Sequence, residues 1–110
     1  MVTVGVTEEF QAWFGGLSQS DAASVLHSVK LLELFGVGLN APNSSALVGT
    51  AFAFRELRPK QGKSPLRVVY VFDPSRNAVL LVGGSKTDAK LYKRMIAKAE
   101  KVWNAYLDEK

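Results

Sequence analysis

The segment FAFRELRPKQGKSPLRVVYVFDPSRNAVLLVGGSKT (Phe52–Thr87) sets the architecture of this chain, because it contains three predicted strands separated by turns. Leu66–Phe72 and Asn77–Gly83 are rich in the β-branched and aromatic residues that favour strands. The turn between them contains a proline, which presets a backbone dihedral, and Asp73, whose side chain can bond the backbone two residues on. A third strand is predicted at Phe52–Arg58, where the following proline ends it.

Arginines lie inside these largely apolar strands, at Arg55, Arg58 and Arg67. A guanidinium is costly to bury and is normally kept in water, so each of them needs a specific role. The charge distribution is also uneven, with a net charge of −3 over residues 1–54 and +7 over residues 55–110. A one-sided positive field is typical of polyanion-binding proteins. These features favour nucleic acid as the ligand over the alternative of a solvated, lysine-rich surface.

The N-terminal half is predicted to form a helical hairpin. Val2–Val6 is a short strand candidate, and Thr7 after it can cap a first helix with glutamates in its first turn. Ser18-Gln19-Ser20-Asp21 approximates a capping pattern for a second helix that runs to about Phe35. His27, the only histidine, lies on this second helix among packing residues, with no nucleophile or second ligand nearby. We therefore interpret it as structural rather than as an acid–base catalyst.

The remaining segments complete an α+β fold. Val37–Thr50 is rich in Gly, Asn, Ser and Pro and is predicted to be the loop that crosses from the hairpin to the sheet. After Ser85-Lys86-Thr87-Asp88, a long helix with an apolar face is predicted to run to about Leu107. We expect one domain, residues 1–110, with a small, mostly antiparallel sheet packed with the N-terminal hairpin and the C-terminal helix.

Several function classes are disfavoured by composition. The chain has no cysteine, which excludes disulfides and thiolate metal sites and suits a reducing cytosol. No apolar run is long enough for a membrane span, and no secretion signal is visible, so we expect a cytoplasmic protein without a membrane partner. Gly83–Thr87 lacks the glycine that a P-loop places directly before its lysine. No acidic or histidine cluster has metal-ligand spacing, so no metal and no cofactor is predicted.

Four short motifs together resemble a known family. They are Glu56-Leu57-Arg58-Pro59, Ser64-Pro65-Leu66-Arg67-Val68-Val69-Tyr70, Phe72-Asp73-Pro74 and the Gly-Gly-x-Lys-Thr turn. The chain resembles the RelE/ParE superfamily of toxins, and more narrowly its phage-derived HigB-like branch, over nearly its whole length. The resemblance implies a RelE-like fold and a ribosome-dependent mRNA endonuclease, the toxin of a type II toxin–antitoxin system. It also implies a helix-turn-helix antitoxin as partner, through which the complex could bind operator DNA.

Metal-free RNA cleavage limits which residues can act. The 2′-hydroxyl attacks the phosphorus, so the site needs positive charge, a group that takes the 2′ proton and a group that protonates the leaving 5′ oxygen. With no cysteine and a structural histidine, these roles fall to Arg, Lys, Tyr or a carboxylate. By resemblance, Arg58 and Arg67 would clamp the phosphate, and Lys86 and Tyr92 would lie near the scissile bond. An unperturbed tyrosine pKa is far above neutrality, so Tyr92 could act as a base only if adjacent cations lowered it.

Further residues are predicted to bind RNA without taking part in the chemistry: Arg55, Lys90, Lys93 and Arg94. Phe52–Phe54 departs from the family, where many relatives carry basic or polar residues at these positions. We expect this segment to stack on bases or to pack against a partner instead of contacting phosphate, and its effect on the strength of cleavage stays open. Three functions remain open at this point: the nuclease; a non-cleaving binder on the same fold or a toxin with another target such as DNA gyrase; and a structural RNA-binding protein.

Overall fold

The computed structural model describes residues 1–109. Its elements are β1 (Val4–Val6), α1 (Glu8–Gly15), α2 (Gln19–Phe35), β2 (Ser44–Ala46), β3 (Arg55–Leu57), β4 (Leu66–Phe72), β5 (Ala78–Ser85) and α3 (Ala89–Asp108). Short 3₁₀ turns follow α2 at Gly36–Gly38 and follow β3 at Pro59–Gly62. In the described part of the chain, no helix is both long and apolar enough to cross a bilayer.

The five strands form a single sheet in the order β1-β5-β4-β3-β2. Only β1 runs parallel to its neighbour, β5, and the other pairs are antiparallel. The predicted fold class is therefore confirmed. Two details differ: β3 spans three residues instead of seven, and the predicted crossing loop contains β2, which pairs Ser44 with Leu57. The second detail was not predictable from local propensity, because β2 is an edge strand of three residues that is specified by its partner.

The sheet has a separate hydrophobic cluster on each face. On one face, α1 and α2 cover a cluster that includes Phe10, Val25, Leu32, Val68 and Tyr70. On the other face, α3 covers a cluster that includes Phe54, Val69, Val71, Met95 and Trp103. Every residue from Leu66 to Val71 is buried, since β4 lies inside the sheet with both faces covered.

Two glycines near the end of β5 bring α1 and α3 close to the sheet. A Cβ atom on Gly83 would lie 2.1 Å from a ring carbon of Trp13, and one on Gly84 would lie 2.8 Å from the sulfur of Met95. Side chains at both positions would collide with the helices on either face. The glycines of the predicted Gly-Gly-x-Lys-Thr turn therefore serve packing, and they place the start of α3 next to the strands.

The N-terminal caps fix where α1 and α3 begin. The Thr7 hydroxyl accepts a hydrogen bond from the Phe10 amide at 3.1 Å and donates to the Leu81 carbonyl at 2.6 Å, which ties α1 to β5. The Asp88 carboxylate accepts from the amides of Lys90 and Leu91 at 2.8 and 3.3 Å. These caps satisfy free amide groups at the helix start. Because Asp88 begins α3 shortly after β5, the first turns of α3 lie beside the sheet.

Candidate functional site

A buried carboxylate, Glu56, is the centre of a polar cluster between the sheet and α3. Glu56 lies on β3 opposite Val69 of β4, and only 3% of its surface is exposed. The Tyr92 hydroxyl, one turn into α3, donates a hydrogen bond to Oε2. The Arg67 Nε atom lies 3.6 Å from Oε1. Both carboxylate oxygens therefore have a partner, which is the condition under which a charge is tolerated in a core.

Arg67 is also buried, with 5% of its surface exposed. Its Nη1 donates to the carbonyls of Ser64 and Leu66, both at 2.7 Å, while its Nε faces Glu56 without forming a hydrogen bond. The guanidinium is thus already used by backbone oxygens and by the carboxylate. In this arrangement Arg67 stabilises Glu56, which differs from its predicted role as a clamp on the phosphate.

The pKa of Tyr92 is raised, so the condition under which Tyr92 was predicted to act as a base, a pKa lowered by adjacent cations, is not met. Burial of the phenol is the largest cause, followed by its hydrogen bond to Glu56 and the negative charge of that carboxylate. Arg67 and Arg58 act in the opposite direction and do not outweigh these causes. At neutral pH Tyr92 is therefore a neutral hydrogen-bond donor.

Lys86 and Arg58 supply positive charge around this phenol. The Lys86 ammonium is 4.8 Å from the centre of the Tyr92 ring, within the range of a cation–π contact, and its side chain is exposed. Arg58 is half-buried, and within residues 1–109 its Nε has no hydrogen-bond partner. A Cβ on Gly62 would lie 3.0 Å from an Arg58 guanidinium nitrogen, so the turn after β3 packs closely against this side chain.

The structure therefore brings the four predicted catalytic residues, Arg58, Arg67, Lys86 and Tyr92, to one end of the sheet. Glu56 was not predicted to be a member of the site. A signal was present, because alternate residues of a strand point to the same face and Glu56 is two residues from Arg58. Within residues 1–109, no group of three acidic or histidine side chains is placed to hold a metal ion.

Arg55 does not join this cluster. It lies on the opposite face of β3, where its Nε donates to the hydroxyls of Ser44 and Tyr70 at 3.1 and 3.3 Å. Its Nη2 donates to the Leu39 carbonyl at 3.2 Å and the Asn40 side chain at 3.4 Å. The predicted RNA-binding arginine therefore ties β3 to the segment between α2 and β2, through hydrogen bonds that its Nε and Nη2 donate inside the protein.

The other predicted RNA-binding residues lie on the first turns of α3. Lys90, Lys93 and Arg94 are all exposed. Arg94 lines a groove between α3 and β5, with Gly84 and Lys98, on the β5 side of the helix. These side chains extend the positive surface beyond the cluster around Glu56.

Two further expectations are corrected by packing. Phe54 is buried, and its ring stacks on Phe52 at 5.3 Å between centroids, within the cluster under α3. Phe54 is therefore part of the core and is not available to stack on bases. His27 is exposed on α2, on the other face of the sheet, instead of packing among the helix residues around it.

Solved structures with the same arrangement identify the class of fold. A mutant of the E. coli toxin RelE in the free state aligns with a TM-score of 0.64 at 11% identity, over 88% of this chain and 96% of that one. RelE in the archaeal RelE–RelB complex from Pyrococcus horikoshii OT3 aligns with a TM-score of 0.59 at 18% identity, over 80% of this chain and 98% of that one. The fold is RelE-like, as the sequence predicted.

Sequence comparison places the chain more narrowly. The family described as phage derived protein Gp49-like matches residues 12–104, and the chain belongs to this family. The candidate toxin HigB2 of Mycobacterium tuberculosis is 31% identical over 104 residues, which cover 91% of this chain and 52% of HigB2. The candidate toxin HigB3 of the same organism is 35% identical over 79 residues, 71% of this chain and 68% of HigB3. The chain thus spans about half the length of HigB2, and the predicted RelE/HigB-type family is confirmed.

Proposed function

We propose that this protein is the toxin of a type II toxin–antitoxin system and that it cleaves mRNA on the ribosome. The relatives HigB2 and HigB3 are described as candidate toxins, and RelE is described as a toxin. The observation that carries the proposal is the convergence of Glu56, Arg67, Lys86 and Tyr92, contributed by β3, β4, the β5–α3 turn and α3. A buried carboxylate that accepts a hydrogen bond from a tyrosine, beside an exposed lysine, costs folding free energy, and such arrangements are typical of functional sites.

The proposed chemistry uses the 2′-hydroxyl of the RNA. A bond forms between the 2′ oxygen and phosphorus while the bond from phosphorus to the 5′ oxygen breaks, which leaves a cyclic phosphate. The raised pKa of Tyr92 argues against a free phenolate as the base. Instead, Tyr92 accepts the 2′ proton as its own proton moves to the Glu56 carboxylate, to which it is already hydrogen-bonded. Arg67 orients that carboxylate and acts as a positioning residue.

The second half of the reaction needs charge at the phosphate and a proton for the leaving 5′ oxygen. Lys86 is exposed above the Tyr92 ring, and its ammonium supplies that proton. Arg58 is half-buried and adds positive charge beside the same phenol. Electrostatic stabilisation of a developing negative charge is usually the largest contribution to catalysis of this kind. Arg58 and Lys86, in place of Arg67, are therefore proposed to hold the phosphate.

An antitoxin partner is supported by the same comparisons. RelE is bound to RelB in the archaeal complex that shares this fold. We propose a helix-turn-helix antitoxin as the partner of this chain, with operator DNA bound through the antitoxin. The ribosome would present the mRNA, in the cytoplasm and without a membrane partner. The net positive charge of residues 55–110 suits an RNA-rich surface.

The test is translation-coupled cleavage in cells. The protein is induced and new mRNA 5′ ends are mapped. The variants Tyr92→Phe and Lys86→Gln are compared with Lys101→Gln, which replaces an exposed lysine on α3. We expect cuts in register with codons for the wild type and the Lys101 variant, and loss of cuts for the other two. Growth arrest with intact mRNA would refute the nuclease.

A second candidate is a toxin on the same fold that does not cleave RNA. The near-complete burial of Arg67 favours it, because the guanidinium expected to clamp the phosphate is held by backbone carbonyls. A toxin directed at DNA gyrase would cause DNA damage while mRNA remains intact. A structural RNA-binding protein would instead show salt-dependent RNA affinity without growth inhibition.

A further inference from the structure

A cationic pocket lies on the α2 side of the sheet, on the face opposite the Glu56 cluster. It has a volume of about 460 Å³, within the range of small-ligand sites. Its walls come from α2, from the residue before β2 and from the turn after β3. The side chains that line it include His27, Leu31, Asn43, Lys60, Gln61 and Lys63.

The turn that forms one wall has an unusual backbone. Lys60 and Gln61 both adopt left-handed conformations, with φ of 55° and 56°, and Gly62 follows with φ of 86°. Left-handed residues other than glycine are uncommon, and they occur preferentially at ligand clamps and active sites, where the surrounding structure maintains them. The Gly62 and Lys63 amides donate to the carbonyls of Arg58 and Lys60 at 3.2 and 3.0 Å. The strained turn thereby holds two lysines at the pocket.

The charges in the pocket are not neutralised by the protein. Within residues 1–109, no carboxylate oxygen lies within 4 Å of the ammonium of Lys60 or Lys63. The amides of Asn43 and Gln61 offer both donors and acceptors, and Leu31 adds an apolar wall. Two ammonium groups, two amides and an apolar surface in one pocket match the phosphate, base edge and base face of a nucleotide.

We propose that this pocket binds one nucleotide of the RNA substrate, with the phosphate on Lys60 and Lys63 and the base edge on Asn43 and Gln61. The choice of RNA rests on the proposed function. One short segment links the two sites, because Arg58 of the cluster directly precedes the turn and packs against Gly62 within it. An RNA strand that passes this end of the sheet would contact both sites.

The single histidine provides a direct test. His27 lines the pocket, so its ring signal in an NMR spectrum reports on this site alone. A short 2′-O-methyl RNA, which cannot be cleaved through its 2′ oxygen, is titrated into the wild type and into a Lys60→Asn/Lys63→Gln double variant. Asparagine is chosen because it tolerates the left-handed backbone at position 60. Lys101→Gln serves as a charge control on α3.

We expect the His27 signal to shift to saturation in the wild type and in the Lys101 variant. The double variant should bind more weakly, and its dependence of log affinity on log salt should be shallower by about 0.7 for one lost phosphate contact. A His27 signal that stays unmoved at saturating RNA would overturn the proposal, as would equal affinity of the double variant and the wild type. An equal shift with inorganic phosphate alone would overturn the assignment to a nucleotide.

This test is separate from the test of cleavage. A saturating His27 shift in a protein that leaves mRNA intact would mean that the pocket binds RNA and that the nuclease proposal is wrong. If codon-registered cleavage persists undiminished in the double variant and the His27 signal does not move, the protein is a nuclease and the proposed nucleotide site is wrong.

Discussion

Replacement of Glu56 by glutamine tests the cluster most directly. The amide has nearly the shape of the carboxylate and keeps an oxygen that can accept the Tyr92 hydrogen bond, so the change removes mainly the negative charge. The buried Arg67 guanidinium then retains only its two backbone carbonyl acceptors. We expect two effects: a loss of stability, because a buried charge has lost its counter-ion, and a lower pKa of Tyr92, because the carboxylate no longer raises it.

The size of the stability effect follows from burial and distance. Both side chains of the pair are less than a tenth exposed, at 7% for Arg67 and 4% for Glu56. Removal of one partner from such a pair costs about 3–5 kcal/mol. Since the two atoms are 3.6 Å apart and Arg67 keeps two carbonyl acceptors, we expect the lower end, about 3 kcal/mol. With a urea dependence of about 1.5 kcal/mol per molar, the unfolding midpoint should fall by about 2 M.

The assay is urea unfolding of Glu56→Gln, Arg67→Met and the double variant, with Glu109→Gln as an exposed control. The double variant should be more stable than the sum of the two single losses predicts, because it leaves neither charge buried alone. The Tyr92 pKa is followed separately by NMR of labelled tyrosine. Two results together would refute the inference that Glu56 stabilises the cluster: a urea midpoint of Glu56→Gln equal to that of Glu109→Gln, and a loss of stability in the double variant equal to the sum of the two single losses.

Three further predictions follow from individual contacts. The pKa of Tyr92 is higher in the folded protein than in the unfolded chain, so its contribution to stability is complete below about pH 10 and is lost as the pH rises. The urea midpoint of the wild type should therefore fall more steeply above about pH 10 than that of Tyr92→Phe, and parallel curves would contradict this. Gly83→Ala should cost about 1–3 kcal/mol through collision with Trp13, whereas Gly15→Ala, which meets nothing within 4 Å, should not lower the thermal unfolding midpoint. Thr7→Ala should cost about 1–2 kcal/mol through loss of the α1 cap, and an unchanged urea midpoint would show that the cap is dispensable.

Much of the secondary structure was predictable, because it is encoded by local patterns. The apolar period of the long helix gave α3, observed at Ala89–Asp108, and the run of β-branched residues gave β4 at Leu66–Phe72. The turn after β4 was also correct, since the Asp73 carboxylate accepts from the Ser75 amide at 2.9 Å. The short strand β2 was not predictable, because its pairing with β3 joins residues nine to thirteen positions apart in the sequence.

The amino-acid order alone determined the family, the fold class and the residue types available for chemistry. Tertiary structure decided which of these residues meet. Arg55 and Arg58 are three residues apart and look equivalent in the sequence, yet the alternation of a strand sends them to opposite faces. Glu56 became central because it lies in β3 beside Arg67 of the neighbouring strand, while α3 brings Tyr92 over it. A side chain's chemistry is local, whereas its partners, its burial and therefore its pKa depend on register and packing between distant segments.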